Sequence, residues 1–419
     1  MHRLLLVLLL SAAWLPAATT PPPGSGKIHQ PVLLLVEASA KEIYDDNIYT
    51  YAYGRQADRS SWITQGQLTL GLKCDADQAG TWTPSYTWEG LAFLNASEES
   101  HQKHTGRLEF AGKQEDWSWQ GDLSQSYTDG STISPTWTGP GGAPAVGAPE
   151  VRNRRRNFML DHNAQITWKP GAWWVRGLYR GQWHDFMTDY SPTPGYQNYD
   201  DRNDFSLGLD FGRQLAGDWD AYVGGRLGQE DQGQMPHTPI EFDNQYFRWV
   251  VGTLGHPLPW LNIDAEAGPD FRFFTRDLPK GEPDERTEIY YRGQVGIQIT
   301  SQDLLSLSGK QYLFPSSAGC GMMREGLWDA EFRHTFTGGE SGELVCSASL
   351  GFRVNEDDFF PAKRRDRVYT PRLEWKTAWK QVWNLRATYE YSWSESEVVN
   401  TPSREFERSR ISVAASWRY

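Results

Sequence analysis

The sequence predicts an all-β fold, a transmembrane antiparallel up-and-down β-barrel of about eighteen strands, with about sixteen as the alternative. Three observations predict it. Runs of ~10 to 15 residues alternate apolar and polar side chains, the connectors between them alternate in length, and no stretch approaches the ~20 apolar residues of a membrane helix. A mature chain of this kind can lie in a membrane only as a closed barrel, because lipid leaves no partner for an open sheet edge.

The N-terminus has the pattern of a secretory signal peptide. Arg3 precedes the apolar run 4–10, and small residues follow around Ala17 and Ala18. The predicted organisation is therefore a signal peptide over 1–18, a periplasmic linker over 19–42 and a barrel over 43–419. Cleavage after Ala40 is the alternative, because the stretch VLLLVEASA also ends in an A-x-A pattern.

Strand-like runs follow one another along the rest of the chain, separated by connectors rich in Gly, Pro, Asp and Asn. They are predicted at 43–53, 62–74, 81–95, 103–112, 116–128, 156–169, 172–187, 203–214, 218–229, 242–256, 260–274, 286–301, 303–315, 325–337, 341–353, 367–379, 382–397 and 404–419. From residue 170 onward the connectors alternate between short turns such as 170–171 and long loops such as 188–202. This alternation is typical of a barrel with periplasmic turns and extracellular loops.

Alternation also predicts which way each side chain faces. In 382–394, Leu385 and Tyr389 fall on the lipid face and Arg386 and Glu390 on the lumen face. In 343–354, Leu350 falls on the lipid face. Charged side chains on the inner face require water, so the lumen is expected to be at least partly solvated.

The last strand carries a family resemblance. Its odd positions from Ile411 are Val413, Ala415, Trp417 and Tyr419, and the even positions are small or polar. This ending resembles the closing strand of bacterial outer-membrane β-barrel proteins, whose terminal aromatic residue is read by the insertion machinery. The resemblance implies an outer-membrane location, contact with lipid and lipopolysaccharide, and an insertion signal at Trp417 and Tyr419. It names no subfamily and no solute.

Composition agrees with a barrel and excludes one class of partner. Aromatic residues make up 14% of the chain although the mean hydropathy is −0.63. Interfacial aromatic girdles combined with a polar lumen would produce both values, and a Trp-rich secreted carbohydrate-binding β protein is the competing interpretation. The formal net charge of −12 argues against nucleic acid as a partner. Three cysteines cannot form a complete disulfide framework.

Two groups of charged residues are predicted to line the pore. The basic group lies on the last strands and the acidic group on earlier ones; the candidates are Arg353, Arg372, Lys376, Arg386 and Arg410, against Asp264, Glu266, Asp270, Asp329 and Glu331. Opposed walls would set a transverse field that favours small polar or charged solutes. The alternative is that these residues pair across strands and only hold the wall together.

The longest connector, 129–156, is too rich in Gly, Pro and Ala for helix or strand. Resemblance to porins suggests a loop folded inward as a constriction, with Arg152, Arg154, Arg155 and Arg156 at its root. An external loop whose arginines contact lipopolysaccharide phosphates is the alternative.

The predicted function is a porin-like channel for passive diffusion of small hydrophilic solutes, without a cofactor. Sugar-specific porins are similar in strand number, but the inward aromatics Trp174, Tyr222 and Tyr290 are scattered over separate strands. A structural, adhesin or partner-supporting barrel is the alternative. An outer-membrane hydrolase using His184, Asp185 and Asp189 is less favoured, because the chain has no G-x-S-x-G or H-E-x-x-H motif.

Overall fold

A computed structural model describes residues 32–48, 59–75, 80–129, 157–185, 201–232, 242–275, 278, 283–315, 322–338, 342–357, 364–379, 383–397 and 405–418. Besides the 3₁₀ turn Ser97–Glu99, it contains eighteen strands: β1 Val32–Asp45, β2 Ser61–Asp75, β3 Thr81–Phe93, β4 His101–Gln114, β5 Trp117–Asp129, β6 Asn157–Trp168, β7 Trp173–Asp185, β8 Arg202–Ala216, β9 Trp219–Gln232, β10 Asn244–Leu258, β11 Leu261–Phe274, β12 Glu285–Gln298, β13 Asp303–Pro315, β14 Met322–Gly338, β15 Gly342–Asp357, β16 Arg364–Trp379, β17 Trp383–Ser396 and β18 Phe406–Arg418. Over this part of the chain, no helix is long and apolar enough to cross a membrane.

The strands form one closed antiparallel sheet. Each strand pairs with the next in sequence, and β1 pairs with both β2 and β18. Closure leaves no sheet edge without a partner. The predicted fold class is therefore confirmed with eighteen strands, and the alternative of sixteen is wrong.

Connector lengths alternate around the whole sheet. Connections of two to five residues join β2 to β3, β4 to β5 and each later even strand to the next odd one, while longer connections join odd strands to even ones. Gly171 and Gly217 take positive φ values of 110° and 56° in two of the short turns, a backbone region open to glycine at little cost. The barrel thus has a short-turn rim and a long-loop rim, as the sequence predicts.

The first strand begins earlier than predicted. The predicted periplasmic linker includes residues 32–42, but Val32 already pairs with Cys74 and Glu37 with Arg418. The prediction is wrong because the apolar run 32–36 does not alternate and so lacks the signature of a half-buried strand. Ala40 lies inside β1, opposite Gly66 and Ala415, so cleavage after Ala40 would cut through a barrel strand. The predicted signal peptide lies outside the described residues.

The outer surface is apolar. Leu207, Leu227, Val251, Ile289 and Val413 are each more than 60% exposed, and they lie on five different strands. The predicted lipid-facing residues Leu350, Leu385 and Tyr389 are exposed on the same surface. A soluble monomer rarely exposes an apolar surface that continues around the molecule, so this surface is built for lipid.

An ion pair closes the seam between β1 and β18 near the long-loop rim. Asp45 is fully buried and Arg408 is 4% exposed. Arg408 Nε donates to Asp45 Oδ1 at 2.8 Å and a second guanidinium nitrogen contacts Oδ2, while Arg410 Nε lies 3.7 Å from Oδ2. The closing contact is therefore a buried bidentate pair rather than backbone pairing alone.

Candidate functional site

The inner wall carries the charges that the sequence assigns to it. Strand pairing places Arg353, Arg372, Lys376, Arg386 and Arg410 on the face opposite the exposed apolar residues. Most of them have carboxylate partners: Arg353 Nε lies 3.2 Å from Glu325, Lys376 Nζ 3.0 Å from Glu374, and Arg410 Nη1 3.4 Å from Glu390. This basic group is consequently partly neutralised.

The acidic candidates share the inner face but differ in exposure. Glu266 is 6% exposed and Asp270 is 1% exposed, and both lie in ion pairs with arginines. Glu331 lies 3.3 Å from Arg333. Asp264 and Asp329 form no ion pair with another described residue. At Glu266 and Asp270 the structure therefore favours the cross-strand pairing alternative over an open acidic wall.

Glu266 is the centre of a network that sequence reasoning missed. It accepts from Arg292 Nε at 2.8 Å and from the hydroxyls of Tyr222 and Tyr290 at 2.9 Å each. Arg226 Nη2 lies 3.4 Å away and also contacts Asp210. These residues come from β8, β9, β11 and β12, so the network ties together strands that are not neighbours in the sheet.

A second network lies nearer the long-loop rim and centres on Arg272, which is 1% exposed. Arg272 Nη1 lies 2.6 Å from Glu230 and Nη2 lies 3.0 Å from Asp270, which also accepts from Arg248 Nη2 at 2.8 Å. Arg272 Nη2 further donates to the carbonyl oxygen of Leu313 at 2.8 Å. A buried guanidinium with this many acceptors is well satisfied, so the network is rigid.

Aromatic rings hold these cations in place. The guanidinium carbon of Arg248 lies 3.8 Å from the ring centroid of Tyr290, and that of Arg272 lies 4.4 Å from Tyr246. Tyr246 itself lies flat over Gly228 on the neighbouring strand, where an added Cβ would meet the ring. The glycine therefore leaves room for this ring against the neighbouring strand.

The inward aromatic residues are closer together than their sequence spacing suggests. Trp174, Tyr222 and Tyr290 pack with Val250 in one buried cluster, and the rings of Trp174 and Tyr222 lie 5.7 Å apart. Since all of them are less than 10% exposed, they do not present an open row of rings to the lumen.

A cavity of about 600 Å³ lies beside the two networks. Its lining residues come mainly from β6 to β13, and the charged ones comprise seven cations and three carboxylates: Arg180, Arg202, Arg226, Arg248, Arg272, Arg292 and Lys310 with Asp204, Glu230 and Glu266. We refer to it as the basic cavity. A second space of about 480 Å³ continues from it, since Arg292 and Lys310 border both. The basic group predicted from the sequence lies on other strands, so this cluster of cations was not anticipated.

Alternation could have found part of this region. Arg176, Arg180, Arg226 and Arg248 occupy inward positions of strands whose outward positions are clear from the sequence. Which of them are neutralised depends on contacts across an intervening strand, such as Arg226 to Glu266 over β10, and no local pattern specifies those.

The remaining predicted sites are only partly described. His184 and Asp185 end β7 at the long-loop rim, whereas Asp189, the loop 130–156 with its arginines, and Tyr419 lie outside the described residues. Trp417 pairs with Ala38 and Trp383 near the short-turn rim. Within the described part of the chain, no group of three or more His, Cys, Asp or Glu residues could hold a metal ion.

Eighteen strands, short turns on one rim, long loops on the other and an apolar outer surface define an outer-membrane-type transmembrane β-barrel. No family model and no curated protein matches the chain. Similar solved structures include OccAB2 of Acinetobacter baumannii (10% identity, 92% of this chain and 98% of that chain, TM-score 0.46), the outer membrane protein OpdK of Pseudomonas aeruginosa (9%, 92% and 99%, 0.45) and the unliganded ferric citrate transporter FecA (9%, 92% and 78%, 0.45). These similarities identify neither a subfamily nor a solute.

Proposed function

We propose that this protein is an outer-membrane channel for passive diffusion of small hydrophilic solutes. The observation that carries the proposal is water-accessible charge on the inner wall. The side chains of Arg107, Arg292 and Arg386 are each about half exposed, at 48%, 48% and 52%, on three distant strands. Cations on the inside of a barrel with an apolar exterior can be exposed only to the lumen, so their exposure supports a lumen that contains water.

The alternative, a structural or partner-supporting barrel without an open pore, is favoured by a different observation. Asp210, Asp270 and Arg272 are fully buried although their side chains point inward. The networks around them place buried side chains on the inner side of β8 to β11, which is what a partly filled lumen would require. A barrel filled further by its loops would not conduct.

Single-channel conductance of the purified protein in planar bilayers separates the two. A channel inserts with discrete, repeated current steps, since its path is aqueous, whereas a filled barrel inserts without steps. Protein heated to unfold it before addition is the control and should give none. An absence of steps from folded protein that has demonstrably inserted would contradict the channel proposal.

A wet lumen also predicts which thiols can react. Cys346 faces lipid and Ser347 faces the lumen at adjacent positions of β15. In a background with Cys74 and Cys320 replaced by serine, we expect a charged, membrane-impermeant thiosulfonate to modify the variant Cys346→Ser/Ser347→Cys in lipid vesicles and to spare the chain that keeps Cys346. Mass spectrometry of the recovered protein measures the modified fraction. Equal modification of both chains would count against the facing or the water-filled lumen.

We also propose that an aromatic row on the outer surface marks a membrane interface. Trp328, Phe352, Tyr369 and Trp393 lie side by side on β14 to β17, with successive ring centroids 5.3, 4.9 and 4.8 Å apart. Aromatic girdles lie at the level of the lipid headgroups in barrels of this type. The row supports the interpretation that the long-loop rim lies outside the bilayer, in contact with lipopolysaccharide.

A further inference from the structure

We propose that the basic cavity is a binding site for small oxyanions that carry two negative charges. The inference deepens the proposed function and rests on it in one respect, since the ligand reaches the cavity through the aqueous lumen. It is carried by the balance of charge in the cavity wall and by three cations left without carboxylate partners among the described residues.

Two of the three carboxylates in the wall are already paired with cations. Glu266 accepts four hydrogen bonds, and Glu230 faces Arg272 at 2.6 Å and the amide of Asn244 at 3.2 Å. Asp204 accepts from the hydroxyl of Tyr246 at 3.2 Å. Glu230 and Glu266 are therefore screened by arginines, whereas Asp204 is a carboxylate of the lining without a paired cation among the described residues.

The cations of the wall outnumber the available carboxylates. The lining has four more cations than carboxylates. Asp210 and Asp270, outside the lining, pair with Arg226, Arg248 and Arg272, and Arg176 shares Asp210; with these three residues included the excess of cations is three. The whole chain has a net charge of −12, so this local excess is opposite in sign to the protein as a whole.

Three side chains match this excess, namely Arg180, Arg202 and Lys310, and Arg202 forms no ion pair with a carboxylate of the described residues. Arg180 on β7 and Lys310 on β13 border the same cavity from strands that are six apart in the sheet. Neither forms an ion pair with a carboxylate of the described residues, and Lys310 Nζ instead lies 4.0 Å from the ring centroid of Tyr312. Two unpaired cations facing one space repel each other, and a doubly charged anion between them would relieve that repulsion.

Two guanidinium donors in the described part of the cavity wall have no hydrogen-bond acceptor. The Nε atoms of Arg202 and Arg248 are inaccessible to solvent and have no hydrogen-bond acceptor among the described residues. Both residues border the cavity. These two atoms lie out of reach of a ligand in the cavity, but guanidinium groups bind carboxylates and phosphates through charge-assisted hydrogen bonds, so a wall rich in arginine matches an oxyanion better than a halide.

Equilibrium binding of inorganic phosphate to the folded barrel in a nonionic detergent tests the proposal. Calorimetry at low ionic strength, where the Debye length is ~30 Å at 0.01 M salt, makes the charge effect largest. We expect saturable binding by the unaltered protein and at least a tenfold higher Kd for the double variant Arg180→Gln/Lys310→Gln. Succinate replaces phosphate in a parallel arm to separate an extended dianion from a compact one, and acetate serves as the singly charged comparison.

The matched control removes the same amount of charge from another part of the lumen. Lys103 and Lys113 lie on the inner face of β4, outside the cavity lining. Lys103→Gln/Lys113→Gln should change the Kd less than twofold. An unchanged Kd in the Arg180/Lys310 variant, equal losses in both variants, or binding of acetate as tight as that of both dianions would overturn the proposal.

The binding measurement does not depend on conduction. Phosphate binding that is lost in the Arg180/Lys310 variant, without current steps in bilayers, would sink the channel and leave the anion site standing. Current steps with no saturable binding of either dianion would support the channel and overturn the anion site. Both variants must show the heat-dependent gel shift of a closed barrel, so that loss of folding is not mistaken for loss of the site.

Discussion

Replacing Asp45 by alanine is expected to destabilise the barrel by about 3 to 5 kcal/mol, because the change leaves Arg408 buried and unpaired in the seam between β1 and β18. Asp45 also accepts from the backbone N–H of Asn47 at 3.2 Å, so a turn at the rim loses an acceptor as well. Urea unfolding in lipid vesicles, followed by tryptophan fluorescence, measures the change in the free energy of unfolding.

Glu390→Ala provides the control for the seam. Glu390 lies 3.4 Å from Arg410 in the same group of charges, but both side chains are about one quarter exposed. Solvent screens such a pair, and its loss is expected to cost about 1 kcal/mol or less. If the two variants were equally stable, burial would not be what gives the Asp45 pair its importance.

An arginine on the lipid face should be as harmful as the seam variant, whereas the same arginine one residue away should be tolerated. Leu350 lies at the middle of β15 and is 48% exposed on the outer surface. Leu350→Arg is expected to cost about 2 to 4 kcal/mol, as for a cation near the bilayer midplane. The same unfolding measurement in vesicles applies.

Ser349→Arg is the matched variant, since it adds the same charge to the same strand. Ser349 faces the lumen and pairs with Glu331 on β14 and Arg372 on β16. The new cation has water and a carboxylate within reach, so we expect a change below about 1 kcal/mol. Equal destabilisation by both arginines would show that β15 does not separate a lipid face from a lumen face.

The barrel was predictable because one face of each strand contacts lipid and the other contacts water. The direction in which each side chain faces therefore shows in the sequence as an alternation of apolar and polar residues. Leu350, Leu385 and Arg386 can be assigned to the correct faces from their own strands alone. The start of β1 was not predicted for the converse reason: the run 32–36 is apolar at every position, so no polar residues alternate with the apolar ones. Where one face of a strand has no distinct polarity, the sequence carries no local sign of register.

The charged interior was predictable only in part. Alternation identifies Glu266 and Asp270 as inward, but it cannot show that both are buried beneath arginines from other strands. Whether an inward carboxylate is buried depends on arginines that reach it across an intervening strand, as Arg226 reaches Glu266. The basic cavity follows from the same three-dimensional pairing, because it consists of the cations that remain once the carboxylates are occupied.

The seam also sets an order of assembly. All the other pairings join strands that are consecutive in sequence, so those strands can form as a series of hairpins. The pairing of β1 with β18 instead joins segments far apart in the chain, since Asp45 and Arg408 are 363 residues apart. Bringing such distant segments together costs chain entropy before any contact compensates for it, which makes non-local pairing slow. Until that encounter, β1 and β18 each expose a row of unpaired backbone groups, so the chain is most vulnerable to pairing with another copy in the interval before the ring closes.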